Sequence, residues 1–478
     1  MLTWPIYGFW GIPPPFAGDG SFQTRIEMKF SQIVPVAFGF AVFSGASPLD
    51  GRARENTNPL DILSNAAGDH AHSGDSPLSS IVSQLQLGST PPDSPQSALA
   101  ALQKHFPGND SSLEDVANAI TQAGLVPKHI LHLLNGYLNT ELNSVKNHNP
   151  PLNQSVYTSQ GPEDTSYTTS EEALRAAIHI PKTFSYGRNG KVPVILVPGT
   201  GIPAGTTYYF SFSKLGESAV VDVVWLNLPR TSLSDAQVSA EYVAYAIHYI
   251  SALCAGKQVA IITWSQGALN TQWALKYWPS TRGVVQDFLA MSPDFHGTKV
   301  GSLACPALDN LICAPAIWQQ GWDTEFVRTL RANGGDSAYV PTTSIYSAFD
   351  EIVQPMSGPN ASAILKDSRG VGVTNAQVQS VCAHRVAGGF YTHEGILYNP
   401  LAWALAIDAI THEGPGRVSR LDLANVCNHA LAPELALDDL FGTEGLLLIA
   451  VANLLTYQPQ PKEEPPIKGY ASSAPSGS

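Results

Sequence analysis

A serine between a predicted strand and a predicted helix constrains this chain more than any other feature. Residues 258–262 form a short run rich in β-branched side chains, which predicts a buried strand. Residues 268–278 carry apolar side chains at helical spacing. Only residues 263–267, with Ser265 at their centre, remain for the connection. Strand, sharp turn and helix in this order expose a serine hydroxyl as a nucleophile.

A nucleophilic serine needs a base within hydrogen-bond reach and a carboxylate that orients the base. Asp350 follows a strand-like run, and His393 lies further on in a loop flanked by glycines. The order serine, acid, histidine is the order used when the serine sits on a strand-to-helix turn. Asp294 remains a rival acid, because it follows another strand-like run, and His384 remains a rival base.

The negative charge that develops on the substrate oxygen needs hydrogen-bond donors. The backbone N–H of Gln266, directly after the serine, is the first candidate. Residues 194–197 predict an early strand, and the glycine-containing loop 198–201 follows it, so the N–H and hydroxyl of Thr200 are the second candidate. These glycines complete neither a P-loop nor a dinucleotide-binding motif, which argues against a phosphate site.

The motifs resemble the fungal lipases of the Candida antarctica lipase B type. Matching segments recur in the same order, over residues 196–201, 263–267, 293–294, 297–298, 318–320, 341–343, 345–347 and 350–355. The resemblance covers roughly residues 180–460. It implies an α/β-hydrolase fold, and the alternation of predicted strands and helices independently indicates a mostly parallel central sheet flanked by helices.

This resemblance assigns roles to individual residues. At the reaction centre it implies a nucleophile, an acid, a base and two oxyanion donors, which are Ser265, Asp350, His393, Thr200 and Gln266. It places Asp294 and Gln320 in the acyl pocket and Trp264 beneath a small alcohol pocket, which favours Asp350 as the acid. Thr263 stands at the first glycine of the Gly-x-Ser-x-Gly pattern that is usual in α/β hydrolases, so a small residue is kept there but the strict pattern is not.

The chain departs from the family in its five cysteines, its amino-terminal extension and its last hundred residues. Cys382 and Cys427 match one family disulfide, whereas the other family bridges have no counterpart. Cys305 and Cys313 lie close together in the sequence and are candidates for a bridge of their own, which leaves Cys254 unpaired. Five reduced thiols in a cytosolic enzyme are the alternative.

Residues 28–46 predict a signal peptide, with a basic start at residues 28–29, an apolar core over residues 33–43 and a small-x-small cleavage site at residues 44–46. Signal peptides normally begin a chain, so residues 1–27 are interpreted as a mis-assigned upstream start. A short amphipathic hairpin is the alternative. An extracellular location agrees with three potential acceptors of N-linked glycans, Asn109, Asn153 and Asn360.

The remaining segments differ in composition. Residues 47–95 are rich in Ser, Pro, Asp and Gly and are predicted to be disordered. Residues 96–149 are predicted to form a small helical region, with the role of a lid, a pro-segment or a stabilising appendage. Residues 150–179 are interpreted as a linker, residues 180–457 as the catalytic domain, and residues 458–478 as a disordered tail. Within residues 96–149, apolar residues show helical spacing over residues 97–105, 112–124 and 127–145. Two apolar helices predicted over residues 433–455 either fill the core or wall the acyl channel.

Charge and composition limit the kinds of binding partner that the chain can have. The 39 acidic and 26 basic residues give a formal net charge of −13, which argues against nucleic acid and against electrostatic attachment to anionic membranes. No apolar run reaches the roughly 18 to 20 residues that a transmembrane helix needs.

We therefore expect a secreted serine ester hydrolase that acts on ester or lipid substrates, with a lipid–water interface as a possible site of action, and that needs no metal or organic cofactor. The alternatives are a short-chain or polyester esterase or an acyltransferase of the same fold, and a non-catalytic binding protein on this scaffold.

Overall fold

The computed structural model describes residues 90–106, 108, 113–125, 141–157, 159–300, 314–459 and 461–472. Within these ranges one sheet contains the strands β1 (Ile178–His179), β2 (Val192–Val197), β3 (Val221–Leu226), β4 (Val259–Trp264), β5 (Val285–Met291), β6 (Thr342–Tyr346) and β7 (Val373–Gln377). Their order across the sheet is β1-β3-β2-β4-β5-β6-β7. Only β1 pairs antiparallel, with β3, so the predicted mostly parallel sheet is confirmed.

Helices cover both faces of the sheet. Val194 and Leu196 of β2 belong to one core cluster, whereas Ile195 and Val197 belong to the other. Because both faces are buried, the central strands carry apolar side chains almost continuously instead of alternating them with polar ones.

The α-helices of the described residues are α1 (Pro95–His105), α2 (Leu113–Gln122), α3 (Glu171–Ala176), α4 (Ala204–Tyr209), α5 (Ala236–Leu253), α6 (Gly267–Tyr277), α7 (Pro315–Gln319), α8 (Glu325–Arg331), α9 (Val378–Val381), α10 (Pro400–Thr411), α11 (Leu423–Val426), α12 (Leu437–Glu444), α13 (Leu446–Thr456) and α14 (Gly469–Ser472). Within the part of the chain that the structure describes, none of the helices combines the length and apolar composition needed to span a bilayer.

The first two helices match two predicted helices of the amino-terminal region. Ser94 caps α1 in a reciprocal arrangement with Ser97. Apolar residues of both helices join the same core cluster as α13. Residues 141–149 form turns and extended chain, so the helix predicted over residues 127–145 does not continue through its last five residues.

Several predictions concern residues outside the described ranges. These are the upstream start, the signal peptide, nearly all of the segment 47–95, most of the predicted third helix, Asn109, and the cysteines Cys305 and Cys313.

Part of the segment predicted as a linker, residues 150–179, packs on the sheet and its helices. Strand β1 belongs to the sheet, and its residues lie within this segment. The segment before it is anchored as well, because the buried Glu241 carboxylate accepts the backbone N–H groups of Thr168 and Thr169 at 2.8 Å each. An extended stretch thus packs on the domain by satisfying a buried charge.

Residues 461–472, which belong to the segment predicted as a disordered tail, make specific contacts with the domain. Glu464 accepts the backbone N–H groups at the start of α8, and Lys468 forms an ion pair with Glu241 at 3.3 Å. The Tyr470 ring packs against Tyr277 and Trp278. The composition of this segment is polar and proline-rich, but a few anchors suffice to order it on a preformed surface.

Cys382 and Cys427 form a disulfide, with 5.3 Å between their Cα atoms and 45 residues between them in the sequence. The bridge joins the end of α9 to the end of α11, two short helices that flank the loop carrying His393. Cys254 is a buried free thiol at the end of α5.

Replacing both Cys382 and Cys427 by Ala should lower the free energy of unfolding by about 2–4 kcal/mol, because the unfolded chain regains the freedom of a long closed loop. Chemical denaturation measures the difference. Cys254→Ala is the control, with an expected loss of about 1 kcal/mol from the cavity alone. The bridge has no stabilising role if a reducing agent leaves the stability of the wild type unchanged.

Candidate active site

Ser265 occupies the turn between β4 and α6 with a left-handed backbone, at φ 54°. This conformation is unfavourable for a residue with a side chain and is typical of functional turns held by their surroundings. A Cβ atom at position 267 would come within 2.7 Å of the Val197 carbonyl oxygen, so only glycine fits there. The sharp turn thus depends on Gly267, whereas Thr263 is fully buried at the end of β4 without disturbing the strand.

His393 and Asp350 are joined by a hydrogen bond of 2.7 Å between Nδ1 and Oδ2. Both side chains are buried. The other carboxylate oxygen of Asp350 accepts the backbone N–H groups of Ile352 and Val353 at 3.0 and 2.7 Å. These bonds fix the carboxylate, and the carboxylate in turn leaves Nε2 of the imidazole as the nitrogen that can face a serine hydroxyl.

The two rival residues, Asp294 and His384, take no part in the hydrogen bond between Asp350 and His393. Asp294 is buried, but it makes no hydrogen bond to His393, and its two carboxylate oxygens have no protein partner. Burial raises the pKa of Asp294 to about 7. His384 is exposed on a turn after α9. The geometry therefore favours Asp350 and His393 over the rivals.

Thr200 lies in the loop after β2, opposite the serine turn. Its hydroxyl oxygen is 2.7 Å from Oε1 of Gln266 and 3.0 Å from Oε1 of Gln320. A hydroxyl has one proton, so it can donate to only one of these oxygens at a time. Rotation of the hydroxyl can turn the same proton towards a substrate oxygen. The Gln320 amide is held through its Nε2, which donates to the Ala316 carbonyl at 2.9 Å.

A single pocket brings most of these groups together. Its lining contains the predicted residues Thr200, Trp264, Ser265, Gln320 and His393, together with Ile352, Glu394, Leu447, Ala450, Val451 and Leu454. Asp350 lies behind His393, and Asp294 is not among the described residues that line the pocket.

Helix α13 forms the apolar wall of the pocket. Four of the lining residues lie on it. The Asn453 side chain on the same helix donates a hydrogen bond of 2.8 Å to the Gly201 carbonyl, which ties the wall to the loop carrying Thr200. Both interpretations of the apolar helices over residues 433–455 therefore apply to α13, which lines the pocket and also packs in the core.

The main chain of His393 is held on two sides. Its carbonyl accepts hydrogen bonds from the Trp264 indole N–H at 3.2 Å and from the Ser292 hydroxyl at 2.9 Å. The Trp264 ring also lies against the imidazole, with 5.1 Å between centroids. Trp264 thus contacts the base as well as the pocket.

The electrostatic surroundings favour a charged imidazole. Burial alone lowers the pKa of His393, but the charges of Asp350, Glu351 and Asp294 and the hydrogen bond to Asp350 outweigh burial, so the net pKa is raised. An imidazolium formed by taking a proton from a serine is stabilised by the same groups.

Sequence reasoning missed the buried glutamates Glu351 and Glu394. Both are 1% exposed, and each follows directly after a predicted catalytic residue. The sequence does contain one sign of them. Each adds a carboxylate directly after a predicted catalytic residue in an otherwise apolar stretch, and a carboxylate is unusual in a buried segment. Their contacts depend on the fold and were not readable from spacing.

The chain is similar to characterised proteins over most of its length. It is 32% identical over 282 residues to lipase B of Pseudozyma antarctica, which covers 58% of this chain and 79% of the relative. It is 58% identical to Aspergillus fumigatus lipase B, whose crystal structure superposes with a TM-score of 0.79 and covers 86% of this chain and 99% of the other. No protein-family model matches the chain.

The chain therefore belongs to the lipase B family and is a carboxylic ester hydrolase with the α/β-hydrolase fold.

Proposed function

We propose that the enzyme hydrolyses carboxylic esters, triacylglycerols included, through an acyl-enzyme on Ser265. The observation that carries the proposal is one pocket lined by Thr200, Ser265 and His393, with Asp350 hydrogen-bonded behind the histidine. A nucleophile, its base and an oxyanion donor face the same space, which is the arrangement that acyl transfer requires.

In the proposed mechanism His393 takes the proton of Ser265 while the serine oxygen attacks the ester carbonyl. The Thr200 hydroxyl and the backbone N–H groups of Thr200 and Gln266 stabilise the oxyanion. The imidazolium then protonates the leaving alcohol, and the Ser265 acyl ester remains. A water molecule, activated by the same histidine, attacks this ester and releases the acid and the free serine.

The lining supports an apolar substrate group. Leu447, Val451 and Leu454 project from α13 into the pocket beside Ala450. Burying the methylene groups of a fatty acyl or alkyl chain against these side chains contributes about 0.8 kcal/mol for each CH₂. A lipid substrate, met at a lipid–water interface, therefore fits the pocket better than a polar ester does.

We also propose that the protein is secreted. The disulfide between Cys382 and Cys427 supports an oxidising compartment. Asn153 and Asn360 are exposed, as glycan acceptors must be. Expression from Met28 in a secreting host tests this proposal, and protein that stays in the cells with its leader uncleaved contradicts it.

Ser265→Ala should abolish hydrolysis, with kcat lower by on the order of 10⁶, and leave the fold intact. A series of triacylglycerols and p-nitrophenyl esters of increasing acyl length measures the activity, and a serine-directed phosphonate measures labelling. Long-chain triacylglycerol should be cleaved by the wild type alone. Cleavage of short esters only assigns the protein to the short-chain or polyester esterases, and net transfer to an added alcohol in water assigns it to the acyltransferases. A folded wild type that is neither active nor labelled supports the alternative that the chain is a non-catalytic binding protein.

Asp350→Asn should reduce kcat by about 10⁴-fold, because the neutral amide neither fixes the productive tautomer nor stabilises the imidazolium. Asp294→Asn is the matched control, since this carboxyl is equally buried but does not bond to His393. Its loss should be much smaller. Kinetics at saturating ester compares the two variants, and a larger loss in Asp294→Asn would reverse the assignment of the acid.

A further inference from the structure

Three buried glutamates lie behind the proposed base. Glu351 follows Asp350, Glu394 follows His393, and Glu444 ends α12; they are 1%, 1% and 0% exposed. The mechanism described above uses none of them. Carboxyl groups are rarely buried without a cation or a metal, so their presence at this place needs a reason.

Glu351 contacts the base through the main chain. Its Oε2 accepts the backbone N–H of His393 at 3.0 Å. With the two bonds to the histidine carbonyl, both backbone polar groups of His393 are held by side chains. Glu351 is thus attached to the residue whose imidazole is attached to Asp350.

Glu394 is the natural partner of Glu351. Its carboxyl lies within hydrogen-bonding reach of the Glu351 carboxyl and also lines the pocket. One oxygen on each, Oε1 of Glu351 and Oε2 of Glu394, has no protein donor. Glu444 is occupied differently, because its Oε1 accepts the hydroxyls of Thr392 and Tyr398 at 2.8 and 2.6 Å.

No cation balances these groups among the described residues. The ion pairs recorded there do not include Glu351, Glu394 or Glu444. Two carboxylates this close cannot both ionise in a buried site, so one of the pair keeps its proton and can donate it to the other. Burial, followed by the negative charge of Asp350, raises the pKa of Glu351, and burial, followed by the negative charge of Glu351, raises the pKa of Glu394.

We propose that Glu351 is a positioning residue for His393, and that Glu394 shares a proton with it so that the pair holds one negative charge behind the imidazole. The proposal rests on the proposed role of His393 as the base. The Glu351–Glu394 pair then adds a second negative charge to the one that Asp350 supplies.

The charged groups that face His393 come from two loops. Asp350 and Glu351 lie in the loop after β6 and Asp294 lies in the loop after β5, whereas Glu394 is the next residue after the histidine and acts on it through Glu351. The negative charge of the Glu351–Glu394 pair favours the imidazolium formed during attack. Losing that charge should lower the pKa of His393. It should also reduce the stabilisation of the transition state, in which the imidazole is charged.

Glu351→Gln keeps an oxygen that can accept the His393 N–H but removes the charge. We expect the acid limb of kcat/KM to move down by about one pH unit and kcat on the plateau to fall about tenfold, since one pKa unit corresponds to a factor of ten. Asp287→Asn is the matched control. This buried carboxyl on β5 has its pKa raised by burial to about 8 and does not contact the site, so its pH profile should match that of the wild type.

Glu394→Gln tests the shared proton. In the wild type the raised carboxyl pKa means that the folded state holds protons which the unfolded state has lost, so stability falls as pH rises from about 5 towards the raised value. The amide that this substitution introduces donates an N–H at every pH and has no proton to lose. The melting temperature of the variant should therefore fall less with pH than that of the wild type.

Each result decides the proposal. An unchanged acid limb in folded Glu351→Gln overturns the positioning role, and equal pH dependence of melting in Glu394→Gln and the wild type overturns the shared proton. If Glu351→Gln does not fold, infrared spectra of the wild type and Glu394→Gln replace it; because Asp287 and Asp294 also hold protons, the expected result is a protonated-carboxyl band that is weaker in the variant, and bands of equal intensity overturn the proposal. An inactive, unlabelled wild type would instead overturn the proposed function.

Discussion

Parallel pairing of β2, β4, β5 and β6 is the constraint on which the site depends. The carboxyl ends of parallel strands meet at one edge of a sheet, so the loops that follow them are neighbours although their residues are far apart in the chain. Thr200, Ser265, Asp294 and Asp350 each follow one of these strands. A slip in the register of one strand would move its residue away from the others.

His393 does not lie on a strand, and its position therefore needs other restraints. Hydrogen bonds hold its imidazole, its N–H and its carbonyl, and they come from β4 and from the loops after β5 and β6. The disulfide fixes the segment around it from outside. A loop residue is thus placed as firmly as a strand residue, because its backbone and its imidazole are held by groups at the edge of the sheet.

Sequence predicted the parts of the site that have local signatures. The turn at Ser265 was readable because a strand, a small-residue turn and a helix follow each other within a short stretch of chain. Asp350 and His393 needed chain order and family resemblance, since spacing carries no distance. The order of residues 461–472 and the contacts of Glu351 and Glu394 were not readable, because each depends on partners brought close only by folding. The anchoring of a proline-rich segment through Tyr470 shows why composition alone misjudges order.

Glu241 joins the two ends of the described catalytic unit. It accepts hydrogen bonds from Thr168 and Thr169 on the entering segment and forms an ion pair with Lys468 on the leaving one. Fraying of either segment leaves a buried charge short of partners, which raises the cost of keeping the other in place. The two ends therefore open together, and a protease that cuts near one of them gains access to both.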